Sequence, residues 1–200
     1  KDEDGNFSIA DKLIEIAEYM GFDGYFLNQE EGQMEDFKPF MAKLTAAGLY
    51  TQWYDTNSDF NSAKAQWLKD DKNGQINNSV FVNYGWNSGI DSSLDYAKQI
   101  GVDPFESIFI GMECNQNKFS GGHSSARNIA DLYDDETGNP RASVALFTPS
   151  DWYQRGVDEI PANDPNDTPV MQQDEYHWMV AERDRMFFSG VMEDPTDTGL

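Results

Sequence analysis

Apolar runs of strand length recur along this chain about every 25 to 35 residues, with helix-like segments between them, and this rhythm matches a βα unit. The candidate strands are residues 24–28, 49–54, 79–84, 107–113 and 142–147. Between them, residues 9–20 place apolar side chains at Ile9, Leu13, Ile14, Ile16, Ala17 and Met20, with Ser8 as the expected cap and Gly21 as the stop. Residues 37–47 end at Gly48 and residues 92–100 end at Gly101 in the same way, and residues 63–68 form a shorter candidate. Such alternation predicts a parallel sheet with right-handed crossovers.

The expected fold class is α/β, a (β/α)8 TIM barrel of which this chain supplies the C-terminal part, about five βα units. An open doubly wound sheet is the alternative, but it calls for Gly-rich phosphate or dinucleotide loops, and that pattern is missing. The expected division is residues 1–155 as barrel and residues 156–200 as an acidic loop and closing segment, because residues 158–169 are rich in Asp, Asn and Pro. Five of eight units would leave strand edges open, so the N-terminal part of the same barrel is the expected partner.

Within this frame residues 21–30, GFDGYFLNQE, carry the most chemistry. Side chains alternate along a strand, so Gly24, Phe26, Asn28 and Glu30 point one way while Tyr25, Leu27 and Gln29 point the other. A carboxamide and a carboxylate therefore share a face at the carboxyl end of a strand, where parallel α/β folds place their sites.

The 200 residues hold 36 acidic and 14 basic side chains, a net charge of −22 that repels phosphate backbones and anionic membrane surfaces. Nucleic acid is excluded as a partner, and no apolar run approaches the roughly 20 residues that cross a bilayer, so no membrane insertion is expected. Aromatic residues are in excess, with 5 Trp, 9 Tyr and 13 Phe. Sugar rings stack on such faces while acidic and amide groups bond their hydroxyls. The later strand ends fit that ligand: Gln52-Trp53-Tyr54-Asp55, Asn83-Tyr84-Gly85-Trp86, Glu113-Cys114-Asn115 and Asp151-Trp152-Tyr153 each bring an aromatic or a carboxylate to the rim. Trp53 and Asn115 are counted among the expected sugar contacts on this ground.

The lone Cys114 reads as a buried thiol, and His123 and His177 stand apart from any zinc spacing. Residues 70–74, DDKNG, read as a turn rather than a calcium loop. No metal or organic cofactor is expected.

Tyr25-Phe26-Leu27-Asn28-Gln29-Glu30, Gln52-Trp53-Tyr54-Asp55 and Val80-Phe81-Val82-Asn83-Tyr84-Gly85-Trp86 resemble, in order and spacing, successive motifs of the endo-β-N-acetylglucosaminidases of glycoside hydrolase family 85. The resemblance runs from about Ile9 to Trp152. It implies cleavage between the two core GlcNAc residues of N-linked glycans with retained configuration, often with transglycosylation. By position, Glu30 corresponds to the general acid/base, Asn28 to the residue orienting the 2-acetamido group, Tyr54 to a tyrosine at the reacting centre and Glu113 to an acidic sugar contact. Trp67, Tyr84, Trp86 and Trp152 fit the family's aromatic platform. Where the family usually has a bulky aromatic this chain has Gly85, which bears on acceptor stacking.

The residue types agree with that chemistry. An ordinary retaining glycosidase needs two carboxylates about 5 Å apart, whereas this strand offers one, which suffices if the substrate's own acetamido group is the nucleophile. Glu30 is expected to keep its proton through apolar burial beside Phe26. A non-catalytic glycan-binding barrel and a chitinase-like glycosidase remain as alternatives. A secreted or cell-surface location is expected, with the cytoplasm as the alternative.

Overall fold

The computed structural model describes residues 1–32, 34, 36–86, 90–113, 132–134, 136–148 and 177. The chain divides into two compact units, Lys1–Ile110 and Gly111–Leu200.

In the first unit α1 (Ser8–Met20) leads into β1 (Gly24–Asn28), and α2 (Phe37–Ala46) leads into β2 (Tyr50–Tyr54). A short α3 (Ser62–Ala65) and a two-residue hairpin, β3 (Lys69–Asp70) and β4 (Gly74–Gln75), precede β5 (Ser79–Val82). The helices α4 (Asp91–Ile100) and α5 (Pro104–Ser107) then bring the chain to β6 (Ile108–Glu113). Strands β1, β2, β5 and β6 lie side by side in that order, all parallel. This is the expected α/β architecture. The second unit holds β7 (Ser143–Phe147).

The glycine stops hold: Gly21 and Gly101 both close their helices in the left-handed conformation, at φ 73° and 71°. The cap does not. Phe7 stands at the N-cap of α1 with no side-chain hydrogen bond, and Ser8 is already helical. The expected helix at 63–68 shortens to α3, capped by Asn61, whose side chain accepts from the N–H groups of Ala63 and Lys64. Residues 70–74 form the hairpin turn, where the Asp70 carboxylate accepts from the Asn73 backbone at 2.7 Å and from Lys38 Nζ at 3.2 Å. Burial works to raise the Asp70 carboxyl, but these bonds outweigh it and hold it below the ordinary carboxylate range.

The sheet of the first unit has two unlike faces. Register pairs Leu27 with Trp53, Trp53 with Val80, and Val82 with Ile110, and Trp53, Val80, Val82, Ile108 and Ile110 are all buried. Tyr25 on this side donates to the Leu13 carbonyl of α1 at 2.7 Å, which marks it as the helix side. Met41 and Leu44 of α2 and Ala10 and Ala17 of α1 are buried as well. The register also pairs Phe26 with Gln52, Asn28 with Tyr54, Tyr54 with Phe81, and Phe81 with Phe109, which puts these residues on the opposite face.

Gly24 lies against β2 so closely that a Cβ built on it would overlap the Tyr50 carbonyl, so the first strand can begin only with glycine.

Candidate active site

The face opposite the helices carries an aromatic floor. Phe26 is stacked on Tyr54 with centroids 6.0 Å apart, while Phe81 meets Phe26 at 5.7 Å and Tyr54 at 5.2 Å in edge-to-face geometry. Tyr84 meets Phe81 edge-on at 5.7 Å and is half-buried, so of the expected aromatic platform it is the member joined to the floor. Phe26 remains 52 % exposed, an apolar surface left available on this face. Lower on the same face, Ser79 Oγ accepts from Tyr50 Oη at 2.8 Å and from Gln52 Nε2 at 3.0 Å.

At the carboxyl end of β1, Asn28 and Glu30 are exposed and Gln29 between them is buried. Asn28 sits in register with Tyr54, and the ladder runs one residue past β1, since the Gln29 N–H donates to the Tyr54 carbonyl at 2.9 Å. The expected burial of Glu30 beside Phe26 is corrected, because the carboxylate is open to solvent.

Trp53, an expected sugar contact, and Trp67 and Trp86 of the expected platform are buried in this structure. Trp53 is 0 %, Trp67 2 % and Trp86 1 % exposed, so none presents a ring to a ligand here. Trp53 follows strand parity: next to Tyr54 in β2, it must point to the helix side. There it stacks on Trp67, centroids 4.5 Å apart and planes 8° from parallel. Lys64 Nζ lies 5.0 Å from the Trp53 ring and Lys38 Nζ 5.3 Å from the Trp67 ring.

Beside this stack a charged pair is enclosed. Lys64, fully buried in α3, donates to Asp55 at 2.5 Å and to the Phe81 carbonyl at 3.1 Å, and Asp55 also accepts from Asn57 Nδ2 at 2.6 Å. Burial pushes the Lys64 ammonium below its ordinary range, while Asp55 and Asp59 act the other way. The pair links the loop after β2 to the end of β5, and thereby the chain leaving Tyr54 to the chain leading to Tyr84. Asn83 adds a second link by donating to the Thr56 carbonyl at 3.1 Å.

Glu113 ends β6, its side chain lying outside the described part, and Asn115 and Trp152 fall outside the described residues, as do Cys114 and His123. At Gly85 a Cβ would stand 3.3 Å from Ser58 Oγ. Among the described residues no group of three His, Cys, Asp or Glu side chains could hold a metal ion, and no helix is long and apolar enough to cross a membrane.

The family model of glycosyl hydrolase family 85 matches residues 1–197. The chain belongs to this family. Relatives with curated descriptions include a cytosolic endo-beta-N-acetylglucosaminidase of Danio rerio, 29 % identical over 76 % of this chain and 22 % of its own length. Another is cytosolic endo-beta-N-acetylglucosaminidase 2 of Arabidopsis thaliana, 24 % identical over 72 % of this chain and 22 % of its own length. The chain thus spans about a fifth of either relative. In fold it is similar to the glycoside hydrolase domain of Spr0440, Endo-D from Streptococcus pneumoniae R6, with a TM-score of 0.64 at 23 % identity over 96 % of this chain and 30 % of that one.

The sequence pattern does not single out Gln29 or Lys64, and Asp55, expected at the rim, is buried against Lys64. For Gln29 a signal existed: a polar residue at a strand position facing the helices must find a buried partner.

Proposed function

We propose that this chain is part of an endo-β-N-acetylglucosaminidase that hydrolyses the GlcNAc-β-1,4-GlcNAc bond in the core of N-linked glycans. The observation that carries the reading is one juxtaposition. An exposed carboxamide, Asn28, stands in register with Tyr54, an exposed carboxylate follows two residues later, and an aromatic floor lies on the face that Asn28 and Tyr54 share.

The mechanism uses the substrate's own acetamido group. Its carbonyl oxygen attacks C1 as the bond from C1 to the leaving GlcNAc oxygen breaks, and Glu30 gives its proton to that oxygen. Asn28 holds the acetamido N–H as the oxazoline ring closes, and Tyr54 bonds to the same group. Water then attacks C1, Glu30 takes back a proton, the ring opens and the configuration is retained. A sugar hydroxyl in place of water gives transglycosylation, and the small Gly85 leaves the acceptor side without a stacking ring.

N-linked glycoproteins are the substrates of this reading, and the remainder of an eight-stranded barrel completes the cleft. Both curated relatives are described as cytosolic, which favours the cytoplasmic alternative over secretion. The test is release of high-mannose glycan from ribonuclease B by the intact protein. Glu30→Gln should abolish it, and release undiminished by that substitution would overturn the assignment.

A further inference from the structure

Gln29 is the one residue between the two groups just assigned, and both ends of its carboxamide are tied. Trp53 Nε1 donates to its Oε1 at 2.9 Å, and its Nε2 donates to the Gly32 carbonyl at 2.9 Å. Its backbone N–H is held by the Tyr54 carbonyl, and the residue is 5 % exposed. Gly32 turns the chain at φ 94°, so the Gln29 side chain staples the two ends of the short loop that carries Glu30. Its anchor is itself fixed, because the Trp53 indole is clamped against Trp67.

Among the described residues, neither the Asn28 carboxamide nor the Glu30 carboxylate has a hydrogen-bond partner of its own. Their directions are set by the backbone from which they project. We propose that Gln29 is the positioning residue of this site: by binding Trp53 on the helix side and Gly32 across the loop, it holds Asn28 and Glu30 outward on the opposite side at a fixed spacing. This inference rests on the roles proposed above for Asn28 and Glu30. Catalysis by a single acid and a single orienting amide is sensitive to such spacing, since a displacement near 1 Å costs about a hundredfold in rate.

The test uses the intact protein with an N-glycan substrate, measuring kcat, KM and thermal unfolding for three variants. Gln29→Met keeps the length and loses both bonds; it should lower kcat about 10- to 100-fold while KM changes by less than about threefold. Gln29→Glu keeps the acceptor for Trp53 but loses the donor to Gly32, and Trp53→Phe keeps a stacked ring but loses the N–H. Each should lower kcat by about 5- to 10-fold, and adding Trp53→Phe to Gln29→Met should cost less than it does alone. A kcat within about twofold of the parent in folded Gln29→Met, with only the melting temperature lowered, overturns the inference. Should Gln29→Met fail to fold, Trp53→Phe decides in the same way. Glu30→Gln and Asn28→Ala serve as controls: if they retain activity the underlying roles fall and this inference with them, whereas if they lose it and Gln29→Met does not, the positioning role alone falls.

Discussion

Asn28 and Tyr54 are register partners across β1 and β2, one interstrand spacing apart, about 4.8 Å. On the function proposed above, a pairing this close would bring both side chains to one acetamido group, the amide at its nitrogen and the phenol at its oxygen.

Tyr54→Phe removes only the hydroxyl, and we expect kcat for glycan release to fall about 10- to 100-fold with a smaller change in KM. Asn28→Ala should lose glycan release by a factor of about 100 or more and yet turn over a preformed sugar oxazoline, because the step it assists is then already complete. Equal loss with both donors would remove Asn28 from the oxazoline-forming step.

Trp53 and Trp67 should behave as core residues. Trp67→Ala opens a cavity against Trp53 and should destabilise the protein by about 3 to 5 kcal/mol, measured by denaturant unfolding. Trp67→Phe keeps a ring in place, and its KM for glycan should stay at the parent value; a rise of tenfold or more would return Trp67 to the binding surface.

The Lys64–Asp55 pair gives a prediction of opposite sense for one and two changes. Lys64→Met leaves a carboxylate enclosed without its cation and should cost about 3 to 5 kcal/mol, while adding Asp55→Asn should recover part of that loss. Burial holds the Lys64 ammonium below the ordinary 10.5, so at pH between its folded value and 10.5 the unfolded chain binds more protons than the folded one. Stability from this group therefore rises with pH across that window, and the penalty is present in full below it. The stability of the parent relative to Lys64→Met should increase as pH is raised toward 10.5, and a constant difference would show that Lys64 titrates normally.

Gly24→Ala forces the β1 and β2 backbones apart, since the new methyl meets the Tyr50 carbonyl rather than a movable side chain. We expect a loss of about 3 kcal/mol or more in unfolding experiments, with Gly21→Ala milder, about 1 kcal/mol, because there the methyl meets no atom and the cost is only that of its left-handed φ of 73°.

Much of the first unit was legible in the sequence because its signals are local. The run 24–28 alternates and is preceded by a glycine stop, and it forms β1 with those bounds. Where the pattern is too short to have a period, the reading blurs: β3 and β4 are two residues each, and α3 is a single turn. The site was legible only in part. Aromatic content says nothing of direction, so Trp53 was grouped with Tyr54 although neighbouring strand residues face opposite ways. Trp67 and Trp86 are buried by contacts that a match to the family's aromatic platform does not reveal. Lys64 is hidden because a lysine within a short polar helix reads as surface until Asp55 is placed next to it.

Of the floor rings only Phe26 lies open, Tyr54 and Phe81 being buried at 7 % and 4 % exposure, and its face offers carbon and hydrogen but no lone pair or polar proton to a sugar. A single ring of this kind meets the aliphatic face of a pyranose and supplies no hydrogen bond to any hydroxyl. On the function proposed above, discrimination among mannose-rich, branched and trimmed glycans falls to polar groups of the loops, and those loops are where altered preference should be sought.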